Sequence, residues 1–343
     1  MSCEGIQLAI IFKHPELKDY FHYAGIDPGP PWTLVPSIVK AFEYARLIHF
    51  PRLDLNIDHE FWAGLPIVDG GGVKTLESRP GLDEFAQDGL LERSLDQADL
   101  LPQLKQRLQG EIARLYGRIL PLCRRLFSGY DYRVRRVVWR LDTIRVEATH
   151  VDSGIEEGDE HVARLFVNLD DQPRIWTTSW TLEQMYVRFG ERLPKAILRT
   201  GKPSDVHQAI NEEVFGDRSW ESQPRHVVYF EPGEVWAVDT RQVSHQVFYG
   251  RRAVCLEFSV DPQGMAKRKR HYLVMADRFR RHRLQHPETD SEGAPATCLD
   301  SADQVDSGRA VHVLIRASES SGQGPVRTRS PASQAVRPTD LIG

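Results

Sequence analysis

Cysteine is scarce in this chain. Cys3, Cys123, Cys255 and Cys298 are scattered over 343 residues without the spacing of a metal site. Cys255 lies in an apolar strand-like run, so free thiols in a reducing compartment are expected. Long hydrophobic runs are also missing: no stretch approaches the ~18 apolar residues of a membrane span. The opening Met-Ser-Cys-Glu lacks the basic and apolar regions of a secretory signal. These absences predict a cytoplasmic protein. Charge of one sign is lacking as well. A formal net charge of -4 gives no global pull toward nucleic acid, and no such partner is expected. There is no internal repeat. What the chain does hold is apolar material, 41% of residues with seven tryptophans, enough for one large domain with appendages or two modest ones.

Hydrophobic periodicity divides the chain. Residues 1–60 mix short helical and strand signals and end in Ala45-Arg-Leu-Ile-His-Phe-Pro51, a strand stopped by proline. Residues 97–127 place Leu101, Leu104, Leu108, Ile112, Leu115, Ile119 and Leu122 at alternating three- and four-residue steps. That spacing predicts a helix packed on a sheet. Residues 132–262 alternate strand runs with turns, apart from a helical insert around 181–215. Many strands in one block, with helices outside, predict a mainly β fold with flanking helices. A double-stranded β-helix of the jelly-roll or cupin-like kind fits better than a parallel α/β sheet. The expected divisions are therefore N-terminal α/β elements with the packing helix at 1–131, the barrel at 132–262, a basic amphipathic helix at 263–285 and a tail at 286–343. In the basic helix, Lys267, Arg268, Lys269, Arg270, Arg278, Arg280, Arg281 and Arg283 surround Tyr272, Met275 and Phe279. It docks on the barrel with a solvated basic face, or its 264–284 stretch contacts anionic headgroups of the inner membrane peripherally. The tail is rich in Ser, Gly, Pro, Asp and Thr, with only Val311–Ile315 apolar, and is expected to be disordered.

One constellation carries chemistry. His150-Val-Asp152 ends a strand-like run, Thr143-Ile-Arg-Val-Glu-Ala-Thr149, and His245 ends another, 95 residues further on. On an extended chain, residues two apart point the same way, so His150 and Asp152 can share one metal. Two histidines and a carboxylate occupy one face of a mononuclear iron(II) and leave the other open for O₂ and a co-substrate. His14-Pro-Glu16 and His286-Pro-Glu288 share the His-x-acid spelling. Both sit beside prolines near the chain ends, without a second histidine in strand context.

In order and spacing, residues 43–260 resemble the iron(II)/2-oxoglutarate dioxygenases, and in detail the Kdo (3-deoxy-D-manno-oct-2-ulosonic acid) hydroxylases. The matching segments are Glu43-Tyr-Ala-Arg-Leu-Ile-His-Phe-Pro-Arg-Leu53, His150-Val-Asp152, Ala163-Arg-Leu-Phe-Val-Asn168, Pro173-Arg-Ile-Trp176, Phe230-Glu-Pro-Gly-Glu-Val-Trp236 and Gln242-Val-Ser-His-Gln-Val-Phe-Tyr-Gly250, followed by Leu256-Glu257. The resemblance implies Fe(II), with 2-oxoglutarate and O₂ as co-substrates. It also implies hydroxylation of an acidic sugar, free or lipid-linked. Asn168 and Trp176 match the family pattern as residues lining the pocket. The chain departs from the family at Ser153-Gly-Ile-Glu-Glu-Gly-Asp-Glu160, where an acidic loop replaces a basic stretch and opposes a polyanionic substrate.

A 2-oxoglutarate enzyme needs a cation for the distal carboxylate, and the planar fork of arginine suits it. Arg164, 14 positions after His150 on an apolar strand, is the first candidate and Arg252 the reserve. An arginine pointing into the barrel favours an oxygenase, and one pointing outward a non-redox cupin such as a sugar isomerase or ligand sensor. Arg145 and Arg174 are candidate contacts for an acidic substrate, and Glu257 a candidate for orienting a residue behind the ligands. An amino acid or natural product is the alternative substrate.

Overall fold

Alternating apolar and polar residues between positions 132 and 260 pair as strands, and the helical segments fall outside them. The structure, a computed structural model, describes residues 10–24, 35–50, 53, 55–66, 75–78, 95–96, 100–141, 148–153 and 160–286. The strands are β1 (Ile10–Phe12), β2 (Phe21–Tyr23), β3 (Leu47–Phe50), β4 (Thr75–Ser78), β5 (Tyr132–Arg140), β6 (His161–Asn168), β7 (Arg174–Thr181), β8 (His226–Phe230), β9 (Val235–Val238), β10 (Val243–Tyr249) and β11 (Ala253–Val260). The helices are α1 (Val35–Glu43), α2 (His59–Ala63), α3 (Pro102–Leu126), α4 (Leu182–Phe189), α5 (Lys195–Thr200), α6 (Pro203–Phe215) and α7 (Tyr272–Gln285).

Two sheets form, one in the order β2-β3-β9-β6-β11-β5-β4 and the other β1-β8-β7-β10. On its free side, β10 takes His150 as an isolated antiparallel partner of His245. The chain crosses between the sheets as it runs: β5, β6, β9 and β11 lie in the larger sheet, and His150, β7, β8 and β10 in the smaller. The resulting orders, β5-β11-β6-β9 and His150-β10-β7-β8, are those of a double-stranded β-helix.

Period-2 alternation decides what faces what. Ala163, Leu165 and Val167 of β6 join Val254, Leu256, Phe258 and Val260 of β11 in one core with Leu108, Ile112, Leu115 and Ile119 of α3. The other parity, Arg164 and Phe166 of β6 with Cys255 and Glu257 of β11, looks into the barrel. Truncating a fully buried leucine such as Leu115 to alanine in this layer costs about 2–5 kcal/mol. The α3 stripe is the one expected, but the helix starts at Pro102 rather than 97. Proline suits the first helical position, and Leu101 before it stays 76% exposed.

The insert folds as α4, α5 and α6, with a Thr181–Gln184 capping box starting α4. It forms a second core with α7 through Met185, Tyr186, Val206, Ile210, Tyr272, Met275 and Ala276. The basic segment is helical only from Tyr272. His271 before it is extended, and 262–264 and 268–270 make single 3₁₀ turns. Phe279 stacks on Tyr186 at 4.7 Å, so the helix docks on the insert. Cys123 and Cys255 are buried free thiols. Among the described residues, no helix is long and apolar enough to cross a membrane. Residues 287–343, with Val311–Ile315, lie outside the described residues, as do Cys3 and Cys298.

Candidate metal centre

Backbone pairing builds the site. His150 and His245 exchange both main-chain hydrogen bonds (3.2 and 2.8 Å), which brings their rings to 4.8 Å. Asp152 N donates to Thr240 O at 2.9 Å, and the Asp152 carboxylate lies 3.4 Å from His150 Nε2. One ligand atom from each of His150, Asp152 and His245 falls within 4.8 Å of the others. Each imidazole is tied off on its other nitrogen: His150 Nδ1 to Ala148 O at 2.8 Å, His245 Nδ1 to Val243 O at 3.3 Å. Donation from Nδ1 leaves an Nε2 lone pair on each ring for a cation. Burial pushes the His245 imidazole down to about 4, so it is neutral at physiological pH. Burial opposes ionisation of Asp152, but the Arg164 charge beside it outweighs that and holds the carboxyl well below the usual carboxylate range. Two imidazoles and an ionised carboxylate are the donor set of a facial iron(II) site.

Arg164 points into the barrel, its side chain 14% exposed. Its Nη1 donates to Asp152 Oδ2 and to Thr240 Oγ1 (2.9 Å), and its Nε to Glu257 Oε2 (3.0 Å). Nη2 has no partner among the described residues. Glu257, 3% exposed, also pairs with Arg136 Nη2 at 3.1 Å and lies 3.8 Å from Arg135 Nη1. It orients Arg164 and, through it, Asp152.

Trp176 is 1% exposed and forms the floor beneath the site. It stacks on His245 (5.4 Å, 25°) and meets Phe166 and Trp236 edge-on. The remaining expected residues are not brought to the triad. Arg252 is fully buried, and its guanidinium donates to the carbonyls of Trp62, Leu65 and Leu141. Asn168 ties the β6–β7 turn, donating to Gln172 O and Phe230 O and accepting from Asp170 N. Arg174 begins β7 four residues before Thr178, the partner of His245, about 13 Å away along the strand. It packs on Gly250, where φ is +150° and a Cβ would come 2.7 Å from Arg174 Nη1, so only glycine fits. Arg145 lies outside the described residues, as do Glu147 and the acidic positions 154–159. Glu160, at the end of that loop, has its carboxylate 3.9 Å from Arg135 Nε.

Sequence reasoning missed Thr240. It sits in Asp239-Thr240-Arg241-Gln242, a buried polar turn that divides into β9 and β10 what reads in the sequence as a single strand run ending at His245. The available signal is a turn without glycine or proline in which every side chain can hydrogen-bond.

No family model matches the sequence, and no curated protein does. Solved structures of the Kdo hydroxylase KdoO, described as a non-heme Fe(II) α-ketoglutarate-dependent dioxygenase, are similar to this chain. Its complex with α-ketoglutarate and Fe(III) is 16% identical with a TM-score of 0.48, covering 71% of this chain and 88% of that one. The cobalt(II) complex is 16% identical with a TM-score of 0.49, covering 75% and 94%. The apo form is 17% identical with a TM-score of 0.48, covering 80% and 97%. The strand order described above establishes the double-stranded β-helix in this chain independently of them.

Proposed function

We propose that this protein is an iron(II)- and 2-oxoglutarate-dependent dioxygenase that hydroxylates a C–H bond, with His150, Asp152 and His245 as the metal ligands. The observation carrying this reading is the convergence of the three ligand atoms, both histidines tied off at Nδ1 and the carboxylate ionised. Iron(II) bound there supplies the coupling of O₂ reduction and 2-oxoglutarate decarboxylation to oxidation of the substrate. The chain's own residues orient and bind. Arg164 holds the Asp152 carboxylate through Nη1 and offers Nη2 to the distal carboxylate of 2-oxoglutarate, a charge-assisted contact. Trp176 fixes the His245 ring and closes the site from below.

For the substrate we propose a Kdo-type acidic sugar, Kdo being the sugar named for the similar KdoO structures, and we propose that it is carried on a lipid. The basic residues of the 264–284 segment would meet an anionic membrane surface peripherally from the cytoplasmic side. The test is direct. Purified protein with iron(II), ascorbate and 2-oxoglutarate should add one oxygen to a Kdo-containing glycolipid, with succinate formed in step. Succinate formation with a free amino acid or small metabolite instead would overturn the sugar and keep the dioxygenase. No consumption of 2-oxoglutarate with any substrate would replace it with a non-redox metal-binding cupin.

A further inference from the structure

The loop joining β9 to β10, Asp239-Thr240-Arg241-Gln242, is polar at every position and only 0–3% exposed. Burying four polar side chains is unfavourable unless they are bonded, and here they are. Asp239, Arg241 and Gln242 brace the loop within itself and tie it to the body of the protein. Asp239 accepts from Arg241 N (3.0 Å) and Gln242 Nε2 (2.6 Å) and lies 3.5 Å from His161 Nδ1. Arg241 Nη1 donates to Glu160 O (3.0 Å) and Tyr272 OH (2.8 Å), while its carbonyl bonds His207 Nε2 (3.0 Å). Gln242 O accepts from Leu182 N of the insert at 2.7 Å.

Thr240 alone faces the triad. Its carbonyl accepts from Asp152 N (2.9 Å), and its Oγ1 accepts from Arg164 Nη1 (2.9 Å). The same Arg164 Nη1 donates to the Asp152 carboxylate. Thr240 thus holds Asp152 directly at its main chain and, through Arg164, at its carboxylate, from a loop that cannot shift without breaking buried bonds.

We propose that Thr240 is a positioning residue for the metal carboxylate, transmitting the anchored loop to the orientation of Asp152. This rests on the reading of the triad as a metal site. Thr240→Val removes only the hydroxyl at nearly constant volume, and Thr240→Ser keeps it. Anaerobic titration with cobalt(II) alone should give a dissociation constant about 10–100-fold weaker for Thr240→Val, the usual range for a residue behind the ligands. The visible spectrum of the bound cobalt should change, while circular dichroism and the cooperative melt of the metal-free protein stay as in wild type. Thr240→Ser should bind within a few-fold of wild type. Thr240→Ala, which adds no methyl against the carboxylate, should weaken binding likewise and covers the case in which the valine protein fails to fold. Wild-type affinity and spectrum in a folded Thr240→Val or Thr240→Ala protein would overturn the proposal and leave the metal site standing. No cobalt uptake by the wild type would overturn both.

Discussion

The two ends of the barrel are built from the same residue types and do different work. At the His245 end, Arg164 faces two carboxylates, Asp152 and Glu257, one of which belongs to the triad. At the Gly250 end, Arg252 donates to the backbone carbonyls of Trp62, Leu65 and Leu141, and its neighbour Arg251 pairs with Asp170 and Asp171 in the β6–β7 turn. An arginine bonded to carbonyls has completed the fold. An arginine bonded to a potential metal ligand, with Nη2 to spare, is placed for a ligand. What faces the guanidinium, not its depth in the barrel, separates structure from function.

The largest effect should come from breaking the structural end. Arg252→Leu leaves the carbonyls of Trp62, Leu65 and Leu141 without this donor, at about 1–3 kcal/mol each. Most of the stability of an ordinary domain is then lost, and urea melts should show a collapsed midpoint or no cooperative transition. A stable Arg252→Leu protein with a selectively raised 2-oxoglutarate requirement would instead move the grip to the turn.

Arg164→Leu should act the other way. The fold persists, and the 2-oxoglutarate concentration for half-maximal succinate release rises by roughly 30-fold or more, as a lost buried charge pair worth ~2–5 kcal/mol requires. Metal affinity should fall with it, because Asp152 loses the same partner.

Acid separates the ends next. Burial pushes the His161 imidazole down to about 3 and those of His207 and His271 down to about 4. All three belong to or adjoin the network around Asp239 and Arg241 on the metal side. Unfolded histidines take up protons below about pH 6.5, whereas these do not. Their contribution is therefore complete above pH 6.5 and is lost as pH falls toward 4, at up to about 1.4 kcal/mol per pH unit for each. Asp239, whose carboxyl burial raises, takes up its proton earlier when folded and offsets part of this at the acid end. Urea midpoints should drop between pH 7 and pH 5, and a flat profile would contradict the neutral, buried state of these rings.

The smallest effect belongs to Gly250→Ala, which forces a Cβ against Arg174 at a φ only glycine tolerates. A loss of roughly 1–3 kcal/mol of stability is expected, with cobalt(II) affinity unchanged because the triad is far along the strand. A fall in affinity would show that the two ends are coupled.

Much of this was legible in the sequence because period-2 alternation is local. His150 and Asp152 point together because they are two apart, and His245 stands out by its place in a strand run. Arg164 was legible because an arginine between Ala163 and Leu165 must find an anion. Arg251 and Arg252 were not separable, since which of two adjacent arginines turns inward depends on strand partners far away in sequence. The expected helix at 264–284 overran its start because extended His271 and the 3₁₀ turn before it depend on tertiary packing. Thr240 was missed for the same reason: a polar turn shows its burial only once β6, the insert and α7 close around it.

The central claim is that the His245 end holds a catalytic iron. Anaerobic wild-type protein titrated with iron(II) should bind about one ion per chain, and admission of O₂ with 2-oxoglutarate should yield succinate. His245→Ala, with its fold verified by circular dichroism, should lose both the binding and the succinate. Full iron binding and undiminished turnover in that variant would contradict the account.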